Sequence, residues 1–263
     1  MPARPVSAIH QPAPAREPSL REVPGSHAGV QVDRAHFTYH GRAGAVPALA
    51  GVSLRAAPDE VVAVVGPSGC GKSTLLELIC ALRRPDSGTV SGGRAVLMAQ
   101  RDLLLPWASA LDNAALPLLV AGQRRADARR QAQPLFAELG LEGFERAMPH
   151  ELSGGMRQRV AFLRTLLAGK PVLALDEPFA SLDAITRAQM QDWLARALAR
   201  EPRTVVLVTH DVEEAIVLGD RVIVLSPRPG REVATMEVGL PRPRSRTQAE
   251  VIDLRERALE ALA

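Results

Sequence analysis

The sequence predicts an α/β protein whose centre is a mostly parallel β-sheet with helices on its faces. Three observations lead to this fold class. A wholly apolar run, Val61–Val65, is followed directly by a glycine-rich loop and then by a helix-like segment. Strand-like and helix-like segments alternate between residues 172 and 225, an order typical of βαβ units. The apolar strand 172–175 ends in two carboxylates, those of Asp176 and Glu177.

The amino-terminal part of the chain separates into a leader and a set of strands. Residues 1–28 are rich in Pro, Ala, Arg and Ser without periodicity, so we expect a disordered leader. The main domain is expected to cover residues 29–240. Its first two strands are joined by a glycine-containing turn over 40–46. In chain order, the strands expected before and after the glycine-rich loop lie at 30–39, 49–55, 61–65, 89–91 and 94–98.

The glycine-rich loop has the spacing G-x-x-x-x-G-K-S, the P-loop pattern, and it lies between a strand and a helix as that pattern requires. Glycines let backbone N–H groups close around phosphate oxygens, and the helix N-terminus adds partial positive charge. Lys72 supplies a point charge for the β- and γ-phosphates, and Ser73 a hydroxyl for Mg²⁺. The alternative, a turn that binds nothing, is disfavoured by the flanking elements. The expected phosphate-binding residues are Gly66, Ser68, Gly69, Cys70, Gly71, Lys72, Ser73 and Thr74.

Residues 103–168 read as a helical subdomain. A helix is expected over 109–120, kinked or broken at Pro117. A second helix, 124–139, carries a basic face that we expect to be exposed to solvent, made of Arg124, Arg125, Arg129 and Arg130. A third helix, 157–167, follows the turn Leu152-Ser153-Gly154-Gly155-Met156.

The last segment, 241–263, is expected to hold a basic stretch and a helix that starts at Gln248. We interpret the basic stretch, 242–246, as a solvated tail, with contact to anionic lipid as the alternative. The helix has one apolar stripe that is expected to dock on the domain's own surface, formed by Val251, Leu254, Ala258, Leu259 and Leu262.

Composition limits the possible functions. The net charge of +3 and the pI of about 9.4 are too mildly basic to indicate a nucleic-acid partner. No run approaches the roughly 20 apolar residues of a membrane span, and the amino terminus lacks a signal peptide's apolar region, so we expect a soluble protein. The two cysteines, Cys70 and Cys80, are expected to be packing or loop residues rather than a disulfide.

Four features follow the P-loop in a fixed order. Ser153-Gly154-Gly155 at a helix N-terminus is a second possible phosphate site. Asp176 is placed as a carboxylate near Mg²⁺, and Glu177 as a base that takes a proton from water. Exposed acidic residues at the end of a strand are, however, common. Ser181-Leu182-Asp183 follows them, and His210 ends a strand of the predicted sheet, where a lone histidine is usually structural.

Together with the P-loop, these features resemble the nucleotide-binding subunit of an ABC transporter, from about residue 30 to the end of the chain. The LSGGM turn combined with a P-loop and an acidic strand end is specific for that class. The resemblance implies a P-loop NTPase ABC-ATPase fold. That fold has a RecA-like, mostly parallel sheet core, an N-terminal antiparallel β subdomain and a helical signature subdomain. The implied cofactors are ATP and Mg²⁺.

The resemblance also implies roles for the matching residues. Tyr39 matches the aromatic residue that stacks on adenine, and Gln100 the glutamine that touches Mg²⁺ and senses the transport subunit. Ser153, Gly154 and Gly155 match the signature that contacts the γ-phosphate of ATP bound to the other subunit, and Asp183 matches the D-loop. The implied catalytic residues are Lys72, Gln100, Glu177 and His210, and the implied metal-binding residues are Ser73, Gln100 and Asp176.

The partners implied are a second copy of the chain, head to tail around two ATP molecules, and a membrane-spanning permease subunit. A solute-binding protein is an indirect partner, no nucleic acid is expected, and the location is peripheral, on the cytoplasmic face of the inner membrane. The stretches Leu104-Leu105-Pro106-Trp107 and Ser226-Pro227-Arg228-Pro229-Gly230-Arg231 resemble importers for nitrate, sulfonates and taurine. Sister members import other solutes, including pyrimidine precursors. The alternatives are an exporter subunit and a soluble ABC ATPase acting on DNA or ribosomes.

Overall fold

The computed structural model describes residues 28–42 and 44–262, so the predicted leader lies outside the described residues except for Ala28. The strands are β1 Val30–Gly41, β2 Gly44–Ala56, β3 Val61–Val65, β4 Ser87–Gly92, β5 Ala95–Met98, β6 Val172–Asp176, β7 Thr204–Thr209, β8 Arg221–Leu225 and β9 Glu232–Glu237. The helices are α1 Lys72–Ile79, α2 Ala110–Val120, α3 Arg125–Glu138, α4 Gly154–Leu167, α5 Ala184–Arg200, α6 Val212–Leu218 and α7 Ala249–Leu262.

The larger sheet has the order β5-β6-β7-β3-β8-β9. It is parallel from β5 to β8, and the edge strand β9 runs antiparallel. Its central strands are apolar throughout because both faces are covered. Along β3, Val61, Ala63 and Val65 face one core, while Val62 and Val64 face the other. The predicted mostly parallel core is therefore confirmed, and the carboxyl ends of its parallel strands meet at one edge.

A three-stranded antiparallel sheet, β2-β1-β4, shares a core with α1 and one face of the larger sheet. The pairing register of β1 shifts around Arg34, which has φ 43°. Such a bulge adds one residue and keeps Phe37 on the buried face. The predicted turn over 40–46 is too long, because β1 and β2 pair as far as Gly41 and Gly44. The two strands continue to pair beyond their last buried residues, and a pattern of apolar residues does not predict such an exposed extension.

The helical subdomain consists of α2, α3 and α4, which contribute to the larger core. The predicted break at Pro117 is wrong, because α2 continues through it to Val120. Pro117 lies near the carboxyl end of the helix, where few further backbone hydrogen bonds depend on it. The same helix buries Ala114, Ala115 and Leu118 in the core, and this packing holds it in place.

The predicted basic face is largely exposed to solvent, but two of its arginines also bind a buried carboxylate. Arg125 donates to both Asp112 oxygens at 3.1 and 2.7 Å, and Arg129 does so at 2.8 and 2.6 Å. These two guanidiniums, Arg129 first, hold the pKa of Asp112 well below its usual range. Arg124, Arg125 and Arg130 are exposed, as predicted, whereas Arg129 is half-buried. The cluster fastens α3 to the start of α2, which the sequence did not reveal.

The basic stretch 242–246 is not a solvated tail. Arg244 is 4 % exposed and donates to the carbonyl oxygens of Ile216 at 2.7 Å and of Leu240 at 2.9 and 2.7 Å. Its burial lowers the pKa of its guanidinium. Arg242 donates to Asp220 at 3.1 Å. These arginines satisfy carbonyl groups at the end of α6, where cations are favoured.

The carboxyl-terminal helix α7 docks on the domain through part of its predicted stripe. Val251, Leu254 and Ala258 are buried in the larger core, and Leu262 packs against it. Leu259 is 43 % exposed, so it belongs to the outer face. Among residues 28–42 and 44–262, no helix has the length and apolar character needed to cross a membrane.

Candidate active site

The glycine-rich loop connects β3 to α1, and its conformation depends on glycine. Gly69 and Gly71 have φ values of 77° and 106°, which disfavour any residue with a Cβ. A Cβ added at Gly71 would also lie 2.6 Å from the carbonyl oxygen of Ala48. The loop therefore forms the type of turn whose N–H groups can surround a phosphate.

Lys72 is held against the beginning of the same loop. It is 6 % exposed, and its Nζ donates to the carbonyl oxygens of Gly66 at 2.7 Å and Pro67 at 3.1 Å. An ammonium has three donors, so one remains for a ligand. Within the loop, Cys70 is fully buried and forms no disulfide, and burial raises the pKa of its thiol. Cys70 is a packing residue, as the sequence predicted.

A cavity of about 420 Å³ opens in front of the loop. Its volume is in the range of small-molecule sites. The structure brings many of the predicted site residues together there, whereas Gly66, Cys70, Asp176 and His210 do not line the cavity. The lining residues are Tyr39, Ala48, Ser68, Gly69, Gly71, Lys72, Ser73, Thr74, Gln100, Glu177 and Arg228.

Tyr39 is held at the rim of this cavity by several side chains, including the Phe37 ring, whose centroid lies 4.9 Å from its own. Its Oη shares a hydrogen bond with Thr74 Oγ1 at 2.9 Å and donates to Glu77 Oε2 at 3.4 Å. The Arg83 guanidinium lies over the ring, 4.9 Å from its centroid, and also pairs with Glu77. The ring is 37 % exposed. It is therefore oriented in advance for a flat group such as a nucleobase.

Glu177 is the centre of a polar cluster in the same cavity. Gln100 Nε2 donates to Glu177 Oε2 at 3.1 Å, and His210 Nδ1 lies 3.3 Å from the same oxygen. Glu177 has φ 47°, which is unfavourable for a residue with a side chain. Its N–H donates to the carbonyl oxygen of Val208 at 2.9 Å, so the end of β7 holds it in that conformation. A carboxylate positioned in this way can accept a proton from water.

Asp176 lies behind Glu177 and is 7 % exposed. Burial raises the pKa of Asp176, while a hydrogen bond from Ser73 and the charge of Lys72 oppose that shift. Ser73, Asp176 and Gln100 offer a hydroxyl, a carboxylate and an amide oxygen, which are ligands that Mg²⁺ accepts. Within the described ranges, no cluster of three or more His, Cys, Asp or Glu residues is placed to hold a metal. Because these three side chains supply only part of an octahedral shell, they fit a Mg²⁺ ion whose other ligands are phosphate oxygens and water.

The second predicted phosphate site forms the start of α4. Ser153 caps this helix, with its Oγ accepting from the N–H of Met156 at 3.2 Å. The helix begins at Gly154, earlier than the predicted residue 157, because Ser153 is a favourable cap. Ser153 and Gly154 are exposed.

The adjoining Asp183 begins α5, where its Oδ1 accepts from the N–H of Thr186 at 3.0 Å. Hydrogen bonding from the Thr186 side chain, followed by this backbone contact, lowers the pKa of Asp183. Gly155 packs against Leu182, and a Cβ at Gly155 would lie 3.0 Å from Leu182 Cδ2. Ser153, Gly154, Gly155 and Asp183 thus share one region, but none of them lines the cavity at the P-loop.

Sequence reasoning missed three side chains at this site, those of Glu77, Arg83 and Arg228. Glu77 and Arg83 support Tyr39, and Arg228 lines the cavity. No spacing rule points to Arg228, because it approaches from a turn far along the chain. The signals available were the resemblance of the stretch 226–231 to importers and its Gly230, since a glycine often marks close backbone approach.

Comparisons with known proteins identify the family to which the chain is similar. The family model described as ABC transporter matches residues 49–180. The chain is 45 % identical to the formylaminopyrimidine import ATP-binding protein of Halalkalibacterium halodurans, over 70 % of this chain and 75 % of that protein. It is 47 % identical to an aliphatic sulfonates import ATP-binding protein of Rhodococcus jostii, over 80 % and 85 % of the two chains. It is 42 % identical to the taurine import ATP-binding protein of Chromobacterium violaceum, over 80 % and 83 %.

Among solved structures, the fold is similar to a dimeric ATP-binding cassette in a post-hydrolysis state, bound to ADP and Pi. The TM-score is 0.73 at 29 % identity, covering 80 % of this chain and 98 % of that one. This similarity and the two sheets confirm the predicted ABC-ATPase fold class. The chain therefore belongs to the ABC transporter family and is an ATP-binding subunit that hydrolyses ATP.

Proposed function

We propose that this chain energises an importer as a head-to-tail dimer attached to a membrane-spanning permease. The observation that carries the proposal is the division of the site. The P-loop, Tyr39, Gln100 and Glu177 line one cavity, whereas Ser153 and Gly154 are exposed outside it. A second copy can place its own Ser153 and Gly154 over this cavity, and two-fold symmetry makes the exchange mutual. The similar solved cassette is dimeric, which supports this arrangement.

In the closed dimer, each residue of the cavity has a distinct task. Lys72 donates to the β- and γ-phosphates, and Tyr39 stacks on the base. Ser73, Gln100 and Asp176 would hold Mg²⁺, which supplies neutralisation of phosphate charge when bound. Glu177 accepts a proton from the attacking water, while His210 and Gln100 keep its carboxylate in place.

The loop after Gln100 is the surface that we assign to the permease. It exposes two large apolar side chains, Leu103 at 62 % and Trp107 at 74 %. Exposed apolar side chains grouped on one surface mark sites of interaction with other proteins. A permease segment bound here would contact residues that follow Gln100 by only a few positions, and the Gln100 side chain contacts Glu177.

The same loop is connected to the signature helix α4. Asp102 Oδ2 accepts from Arg157 Nε at 3.0 Å. Arg164 donates to the carbonyl oxygens of Asp102 at 2.7 Å and Leu103 at 2.9 Å. A displacement of the loop by the permease would therefore move the helix that begins beside Ser153. These contacts give a physical route from ATP-driven closure to the membrane subunit.

Importer membership is proposed from the relatives, each of which is named as an import ATP-binding protein. It implies a peripheral position on the cytoplasmic face of the inner membrane and an indirect partnership with a solute-binding protein. For the solute we favour the nitrate, sulfonate and taurine group, since two of these relatives are named for sulfonates and taurine. A pyrimidine precursor is the second candidate, because another relative is named for formylaminopyrimidine.

The proposal is tested by recovering the Glu177→Gln variant from membranes. The tagged variant is expressed in its native host, the membranes are solubilised in detergent with ATP, and co-purifying proteins are identified. The expected result is a polytopic membrane protein, with a solute-binding protein encoded beside it. The Lys72→Ala variant is the matched control and should retain less of this partner when ATP is added. Recovery only from the soluble fraction, with DNA or ribosomal proteins, would overturn the transport proposal in favour of a soluble ABC ATPase.

A further inference from the structure

Building on the proposed ATP site, we propose that Arg228 is a further nucleotide-binding residue. Its guanidinium contacts the α- and β-phosphates from the side of the P-loop opposite Glu177. The supporting observations are the attachment of its turn to the P-loop, its unpaired state among the described residues, and the order of strands in the sheet.

The turn that carries Arg228 is fixed to the P-loop and to β2. Gly230 donates to the carbonyl oxygen of Ala48 at 2.9 Å, and Ala50 donates to that of Gly230 at 3.0 Å. A Cβ added at Gly230 would lie 2.2 Å from the carbonyl oxygen of Cys70, so only glycine fits against the loop. Arg228 is therefore held at a defined distance from the phosphate-binding backbone.

The turn is also closed upon itself, which limits the positions that Arg228 can adopt. The N–H of Ser226 donates to the carbonyl oxygen of Arg231 at 2.9 Å. In return, the N–H of Arg231 donates to Ser226 Oγ at 3.1 Å. A turn closed at its base by two hydrogen bonds presents its tip to the cavity at little further cost in conformational entropy.

Arg228 lines the cavity but has no hydrogen bond or ion pair with another residue in the described part of the chain. Lys72, the other cation of the lining, already donates to two carbonyl groups. An exposed, unpaired guanidinium beside a phosphate-binding loop is available for an anionic ligand. The planar fork of arginine suits two phosphate oxygens at once.

The order of strands indicates which phosphates Arg228 reaches. In the larger sheet, β8 lies on one side of β3, whereas β7, β6 and β5 lie on the other. Arg228 follows β8, while Gln100 and Glu177 follow β5 and β6. The γ-phosphate must lie near Glu177, because water is activated there. Arg228 therefore approaches the part of the nucleotide that ATP and ADP have in common.

The test measures the equilibrium binding of ADP and of a non-hydrolysable ATP analogue to the purified full chain. Arg228→Gln should raise both dissociation constants roughly tenfold, as expected for the loss of one charge-assisted contact. Arg228→Lys should raise them less, since a point charge replaces the fork. Arg231→Gln removes the same charge from the same turn outside the cavity, and it should bind both nucleotides like the wild type.

Unchanged binding of both nucleotides to Arg228→Gln would overturn the assignment while leaving the ATP site intact. Weaker binding of the ATP analogue alone would also overturn it, because the contact would then be to the γ-phosphate. Thermal unfolding checks that each variant is folded. If Arg228→Gln is not folded, the dissociation constants of Arg228→Lys test the assignment instead. A wild-type chain that binds neither nucleotide would instead overturn the proposed function itself.

Discussion

The side-chain amide of Gln100 donates to the carboxylate of Glu177 at 3.1 Å, and this contact joins the ends of two neighbouring strands, β5 and β6. Gln100 leads into the loop that exposes Trp107, and Glu177 is the proposed base. A single side-chain contact therefore connects the proposed permease surface with the proposed chemistry.

Replacing Glu177 by Gln should reduce ATP hydrolysis by roughly 100- to 1,000-fold, the usual contribution of a general base. ATP binding should change little, because the amide keeps the size of the side chain and its contact with Gln100. Steady-state phosphate release and nucleotide titration measure the two effects separately. A variant that hydrolyses ATP at the wild-type rate would remove Glu177 from the role of base.

The surface around Trp107 should matter for the permease and not for stability. Trp107→Ser should reduce co-purification with the membrane subunit at least several-fold. Its free energy of unfolding should change by less than about 0.5 kcal/mol, because an exposed side chain makes few contacts. Leu82→Ser is the control, since Leu82 is 64 % exposed and lies just beyond the end of α1. Equal losses in both variants would argue against a specific docking surface.

The Asp112 cluster should be important for stability. Asp112→Asn leaves Arg125 and Arg129 without their shared anion and should lower the free energy of unfolding by ~2 kcal/mol, less than for a fully buried pair because both arginines reach solvent. Asp127→Asn removes only an exposed partner of Arg130 and should cost less than about 0.5 kcal/mol. Denaturant unfolding of the two variants compares them. Equal stability would show that the cluster contributes little.

Glu214 should make stability depend on pH. It is 4 % exposed, accepts a hydrogen bond from the Thr209 hydroxyl at 2.5 Å, and burial raises its pKa to about 7. Between the ordinary glutamate pKa and pH 7, the folded chain holds a proton that the unfolded chain has lost. The free energy of unfolding should therefore fall as pH rises through this window.

Glu214→Gln should remove that dependence and raise the free energy of unfolding at pH 8 by up to about 3 kcal/mol. The glutamine keeps an oxygen for the Thr209 hydroxyl. Denaturant titrations from pH 5 to pH 8 measure the effect. Glu256→Gln, at an exposed position of α7, is the control, and its free energy of unfolding should depend on pH as that of the wild type does. An unchanged profile in Glu214→Gln would mean that Glu214 is ionised in the folded chain throughout this range.

Much of the fold could be predicted because its signals are local. The apolar strands β3, β6 and β7 are recognisable as buried runs, and the P-loop has a fixed spacing between a strand and a helix. The parallel sheet follows from the alternation of strands and helices.

The remaining features depend on contacts between distant segments. Asp112 gives no sign that it will receive Arg125 and Arg129, and nothing near Arg244 indicates the carbonyl groups at the end of α6. Arg228 reaches the cavity only because Gly230 packs on the P-loop. Such positions follow from tertiary packing, which a spacing rule for one segment does not contain.

We propose that two copies of the chain complete each other's ATP site, and light scattering on a sizing column distinguishes such a dimer from a monomer. Glu177→Gln with ATP should run at the mass of a dimer, and without ATP at the mass of a monomer. The double variant Glu177→Gln, Ser153→Arg should still bind ATP but remain monomeric, because its signature surface is blocked. A Glu177→Gln chain that binds ATP without dimerising, or a double variant that dimerises equally well, would contradict the account.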